Sequence, residues 1–287
     1  MRLLRAPSDC GSVAAMRMFA RLPLVLLLGL GVSGFVLDGF VCRHAVAAEI
    51  PGVASRQRTE KKSFTDEEIV DGFFKTAFGA EYHLAGRVDR IRKYDAPVRV
   101  FADGVRRSNR KAQLAKVVAD IATRVQHLDI AMADSSDGAN VVVKLVRDRD
   151  LFRTISTFYG ADRAREIRNN LDPQCLSGFR KNDRYEIEHS DVILTVDNGD
   201  FTFLDCAYEE LLQSLGPIND TNSVPWTMFN DSVQMGFFDV YDQYILNILY
   251  DPRIKAGMTV QEVKAVLPQV LVDVRVWVAK VNGLPLE

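Results

Sequence analysis

The chain has 287 residues, 47% of them hydrophobic, enough apolar material to bury the core of one ordinary domain once a targeting segment is set aside. With 36 basic and 38 acidic residues the formal charge is -2, which gives no electrostatic reason to expect a nucleic-acid partner. This composition excludes a chain disordered throughout.

The first residues carry Arg2, Arg5, Arg17 and Arg21 with Asp9 as their one acid, then an apolar run from Leu22 to Leu37, then Ala45-Val46-Ala47-Ala48. Basic region, apolar region and small-residue cleavage site in that order predict a secretory signal over residues 1–48. Met16 and Met18 are alternative starts that shorten it. An uncleaved anchor is the competing expectation, because Leu22 to Val41 reaches the roughly 20 residues a span requires. Asp38 and the Ala-rich site favour cleavage, after which no membrane contact is expected. Cys42 lacks the small residues that precede a lipidated cysteine.

With Cys10 and Cys42 removed with the signal, Cys175 and Cys206 are left in a compartment where pairing is permitted. A bridge between them is expected to stabilise the fold by roughly 3.5 kcal/mol on the chain-entropy model. Two buried thiols are the alternative, and neither has the neighbouring His a nucleophile would need.

Residues 49–64 are polar, with Pro51 and a basic stretch, and predict a flexible linker ahead of a single domain over 65–287. Thr65-Asp66-Glu67-Glu68 is a capping box opening a helix that carries Ile69, Phe73 and Phe74. Val98 to Phe101 alternates like a strand closed by Asp103-Gly104. Arg106, Arg107, Arg110 and Lys111 read as a solvated helix start, and Leu114, Val117, Val118, Ile121 and Val125 give that helix an apolar face. Strands are expected at Leu128–Met132 and over 140–146, the second buried on both faces. Residues 147–170 read as charged and irregular with a helix near 160–169. A strand covers Ile187 and Val192 to Val196, a helix follows over 203–215, and a turn-rich stretch leads to a long helix over about 238–250. A second capping box at Thr259–Glu262 opens a short helix to Leu267. Val272, Val274, Val276 and Val278 alternate like a terminal strand within 270–281. Arg253 and Lys255 supply charge after the long helix, or face an acidic partner. The sum is an α/β (α+β) domain: a twisted mixed sheet with a backing helix, a central helix, and a C-terminal helical part.

The central helix carries the functional argument. Leu204, Tyr208, Leu211, Leu212 and Leu215 form one apolar stripe, and Cys206, Glu209, Glu210 and Gln213 form a second, polar one. Glu209 and Gln213 stand four residues apart on one face, and Gly216 and Asn219 follow. A metzincin protease reads His-Glu-x-x-His-x-x-Gly-x-x-His in this frame, two ligands sharing a helix face and a glycine turning the chain to the third. Glu210 then occupies the place of the general base and Gly216 that of the glycine. The ligand positions hold Glu209, Gln213 and Asn219, with Asp220 beside the last. Ser223 to Asp231, with Met228 inside, resembles the Met-turn that underlies the metal in that family.

Cys206 to Gly216, Met228-Phe229-Asn230-Asp231 and Leu249 to Thr259 resemble a bacterial family filed as domain of unknown function 2927. That resemblance implies no activity, and it makes the bacterial periplasm the expected destination. Zinc prefers imidazole and thiolate, so amides at Gln213 and Asn219 imply that catalytic zinc has been lost, and no cofactor is expected. Glu209, Asp220 and Asp231 can offer oxygen to calcium or magnesium, although turn chemistry explains Asp and Asn there equally well. His83, His127 and His189 sit on separate elements. The resulting expectation is a non-catalytic binding or structural protein with an unknown protein or peptide partner. Its alternative is a divergent hydrolase using Glu210, either with oxygen ligands or with a second carboxylate at Asp231 or Asp197. In the non-catalytic case Glu210 and Gln213 are expected to bond backbone groups of a neighbouring strand or of the Met-turn.

Overall fold

The structure, a computed structural model, describes residues 50–79, 89–104, 109–171 and 174–286. The expected signal and His83 lie outside them, as do Arg106 and Arg107. Within these limits the chain forms a mixed α/β fold of five strands and eight α-helices.

The expected linker is a helix in part. α1 (Pro51–Thr59) starts with proline at its first turn, where the missing N–H costs nothing. It is docked through Arg56, whose guanidinium lies 4.3 Å from the centre of the Phe201 ring. The residues that follow are fixed too. Lys61 pairs with Glu68 and lies 4.2 Å from the centre of the Trp226 ring, and Phe64 is buried. Polar composition concealed this because the contacts are made by aromatic rings far away in sequence.

The Thr65–Glu68 capping box forms as expected and opens α2 (Asp66–Ala77). Gly72 on this helix lies against Tyr241: a Cβ there would fall 2.0 Å from the phenol oxygen, so the two elements pack at glycine distance.

β1 (Val98–Gly104), β2 (Ile130–Met132), β3 (Val141–Val146), β4 (Cys175–Lys181) and β5 (Ile187–Thr195) pair in the order β2-β1-β3-β5-β4. Every pairing is parallel except β4 with β5, which puts one antiparallel strand at the edge. On β3, Val141, Val143 and Leu145 are fully buried while the alternate residues are half-buried, so the expectation of two equally buried faces is corrected to one. β4 was not legible in the sequence, since Cys175-Leu-Ser-Gly-Phe-Arg-Lys181 lacks both apolar alternation and β-branched residues.

α3 (Arg110–Arg124) and α6 (Asp200–Ser214) share the main core with Val192 and Leu194 of β5. The opposite face of β4 and β5 is covered by α4 (Asp148–Tyr159) and α5 (Ala161–Leu171), where Leu151, Ile155, Ala164 and Ile167 enclose Leu176 and Ile193. The expectation of irregular chain over 147–160 is corrected by α4. Its apolar residues Leu151, Ile155 and Tyr159 fall on one face among charged ones, and the helix is stabilised by the sheet face that they cover. Arg110, expected on a solvated helix start, is buried, with Nε donating to the Val196 carbonyl at 3.0 Å and Nη1 to Asp200 at 2.5 Å.

α7 (Val240–Tyr250) is buried along its whole length. α8 (Val260–Asn282) is a single helix of 23 residues with Pro268 inside it, which corrects the expected short helix followed by a strand. Val263, Leu267, Val270, Leu271, Val274 and Val278 are its buried stripe, at offsets that fit a helical period, and they pack against α7. The valine alternation that mimicked a strand includes Val272 and Val276, and these point to solvent.

Candidate functional site

α6 lies between α3 and the edge strand β4. Tyr208 donates its hydroxyl to Asp120 of α3 at 3.0 Å. The polar face is turned to β4, and the expected bridge joins Cys206 to Cys175 there. Seven residues further along α6, two helical turns, Gln213 reaches the same strand: Ser177 donates to its amide oxygen at 3.4 Å. The Gln213 amide nitrogen donates to Asp220, so its partners are side chains rather than the backbone groups expected.

Gly216 turns the chain after α6. Its φ is +141°, and a Cβ would stand 2.3 Å from the Arg92 carbonyl oxygen and 2.9 Å from Leu249. No side chain fits there. The turn does not bring Asn219 to the helix face. Asn219 instead closes the end of α2, its Nδ2 donating to the Lys75 carbonyl at 2.7 Å and its backbone N–H to the Thr76 carbonyl at 3.2 Å.

Asp220, the next residue, does reach the face of α6 that carries Glu209 and Gln213. Glu209, Asp220 and Asp231 each bring one carboxylate oxygen to within 4.8 Å of the others. Glu209 and Asp220 are half-buried and Asp231 is exposed, so the trio opens to solvent. Three hard oxygen donors fit calcium or magnesium, and they are a poor set for zinc. Glu210 is buried, at 6% exposure, and is not part of the trio. Its charge, with that of Asp191, adds to burial in pushing the Tyr159 phenol upward, and the Tyr159 oxygen rests against Gly178 of β4.

Met228 is buried, and the turn around it is built by hydrogen bonds. Asp242 of α7 accepts from the Thr227 hydroxyl at 2.5 Å and from the Met228 N–H at 2.8 Å. Asn230 donates to the Val224 carbonyl at 2.9 Å and closes the loop, and Thr221 N–H donates to the Phe229 carbonyl. Nothing in the sequence argument singled out Asp242. The available signal was Asp239 three residues earlier, the N-cap of α7, which marks this helix start as a place where carboxylates meet backbone N–H groups.

Arg92 and Lys93 were also missed. Adjacent residues of extended chain point to opposite sides, and these two reach the ends of two helices. Arg92 donates to the Ala77 carbonyl of α2 at 3.3 Å. Lys93 donates to the carbonyls of Leu249 and Ile254 at 2.7 Å each and of Asp251 at 3.4 Å, beyond the end of α7. Burial lowers the Lys93 amine to about 8. Arg253 and Lys255 do not form an open basic patch as a pair: Arg253 is engaged by Asp251 and Asp273. His127 lies in the turn after α3 and His189 on β5 beside Asp191, so the described histidines do not converge.

Residues 66–269 match the model of the family described as Protein of unknown function (DUF2927). The chain belongs to that family. No curated protein and no solved structure matches it. Family membership therefore names a kinship without an activity, and among the described residues no helix is long and apolar enough to cross a membrane.

Proposed function

We propose that this member of the family is an exported, periplasmic protein with a binding or structural role rather than a catalytic one, built on a metzincin-like helix and turn whose ligand positions have become structural ties. The observation that carries it is the commitment of Gln213 and Asn219: one joins β4 to Asp220, and the other closes α2. Neither amide is left facing a shared point where a metal would sit. The α6 frame, the glycine at 216 and the buried Met228 turn support the metzincin kinship. The residue pattern at 1–48 and the Cys175–Cys206 bridge support export.

Two measurements test it. Residues 1–48 fused to a reporter that is active only outside the cytoplasm should yield activity, and the mature N-terminus should begin at residue 49. The purified mature protein, assayed against peptide and ester substrates with zinc, manganese, calcium or magnesium added, should show no turnover. Hydrolysis that Glu210→Gln abolishes would overturn the non-catalytic role.

The second reading is a hydrolase using Glu210 with oxygen-bound cations. The convergence of Glu209, Asp220 and Asp231 favours it. It requires both a stoichiometric cation that survives dialysis and loss of that cation in Asp231→Asn.

A further inference from the structure

The N-terminus of α7 holds two carboxyl groups that water does not reach: Asp239 is 1% exposed and Asp242 not at all. Asp239 Oδ1 accepts the Asp242 N–H at 3.1 Å, and its Oδ2 has no donor among the described residues. Asp242 accepts from the Thr227 hydroxyl and the Met228 N–H, and the bond from its own N–H to Asp239 holds the two carboxyl groups on the same first turn of the helix. Two full charges this close in a dry interior repel strongly, and a proton on one carboxyl group removes the repulsion and supplies a donor to the other.

The charges around the pair do not relieve it. From the segment after α1, Glu60 accepts the Val240 N–H at 2.6 Å and adds a third carboxyl group. Lys62 and Arg124 act on Glu60 from further out, and Glu68 and Asp71 of α2 face the neighbouring Tyr241. Among the described residues no Lys, Arg or His pairs with Asp239 or Asp242.

We propose that Asp239 and Asp242 share one proton, and that this proton latches the Thr227–Met228 turn onto α7. The turn leading to Asp231 is docked while the proton is held and is released when it is withdrawn. Asp239 is the protonated partner: its Oδ2 is the atom without another donor, and Asp242 is the acceptor of two N–H or O–H groups. Burial, followed by the charge of Asp242, raises Asp239 well above the usual carboxylate range, and burial raises Asp242 as well. The folded state thus binds the proton more tightly than the unfolded chain. The latch contributes fully below the ordinary Asp value of about 3.9 and is lost as pH rises through the folded value.

The test is hydrogen exchange of the mature chain followed segment by segment as pH is raised from the ordinary Asp value of about 3.9 until the fold itself is lost. A local readout is needed because Lys93, at the other end of α7, also titrates near 8. Once the proton leaves, protection at residues 224–231 should fall by about tenfold per pH unit beyond the intrinsic change, while α3 stays protected. Asp239→Asn should remove this transition, because an asparagine caps the helix and donates to Asp242 at every pH. Glu60→Gln should move the transition to lower pH by removing a neighbouring negative charge. Wild-type protection at 224–231 that follows the intrinsic rate throughout would overturn the latch, as would an unchanged transition in Asp239→Asn. If Asp239→Asn does not fold, a transition that Glu60→Gln leaves in place overturns it as well.

Discussion

α6 and α7 are both buried helices, and both carry polar residues on faces that touch the core, yet the two sets are held differently. On α7 the carboxyl and amide side chains each meet at least one backbone group. Gln243 donates to the Phe238 carbonyl, Asn247 joins the Gln126 N–H to the Arg124 and Gln243 carbonyls, and Asp242 holds the Met228 N–H. On α6, Cys206 and Gln213 meet side chains of β4 and of the following loop, and Glu209 opens toward Asp220 and Asp231. Backbone partners do not change with sequence, so the α7 set specifies the fold. Side-chain partners can be exchanged one at a time, so the α6 set is where a site can change its chemistry while the helix stays in place.

If that contrast is correct, damage to covalent and steric features of α6 should cost stability heavily, and damage to its polar ties should cost little. Removing the bridge with Cys175→Ala and Cys206→Ala together should have the largest effect, about 3.5 kcal/mol for a separation of 31 residues, read from denaturant midpoints. A wild-type midpoint unmoved by reductant would remove the bridge from the account. Gly216→Ala comes next, at about 3 kcal/mol, because its Cβ meets backbone at 2.3 Å in a conformation L-residues avoid. Loss of less than 1 kcal/mol there, measured the same way, would show that the turn can relax.

Lys93→Met tests the α7 side. It leaves three carbonyls without their donor and should cost about 2 kcal/mol, with exchange quickening at residues 249–254 before the rest of the fold. The smallest effect belongs to Asn219→Ala, about 1 kcal/mol, from one lost side-chain bond at the end of α2. Any shift of melting temperature that calcium gives the wild type should be the same size in this variant. A wild-type shift that the variant lacks would return Asn219 to the carboxylate trio from which the structure separates it.

Much of the fold was legible because local rules and tertiary packing agree in those segments. The Thr65 and Thr259 boxes, the apolar face of α3 and the strand at β5 needed no distant partner to be recognised. The misreadings share a cause. α1 is held by Phe201, α4 by the far face of β5, and β4 by pairing with β5 and by its bridge. For α1 and α4 the stabilising group lies tens of residues away, so no local window contains it, and β4, though it pairs with the next strand, has its bridge partner 31 residues on. At the site, helical spacing put Glu209 and Gln213 on one face of α6, and Gly216 follows in a turn with positive φ. Asn219 and Asp220 were separated only by the direction in which the chain leaves Gly216.

Sequence alone determined the capping boxes, the pairing partners among the cysteines and the chemical poverty of α6 in imidazole and thiolate, because these depend on residue identity and on spacings of a few residues. Only the tertiary structure decided which carboxylates meet, that Asp239 and Asp242 are buried together with no cation paired to them among the described residues, and that residues 270–281 are helix. Those outcomes depend on which surfaces are removed from water. A valine alternating in sequence fits a strand or a helix equally well until α7 is there to cover one side of it.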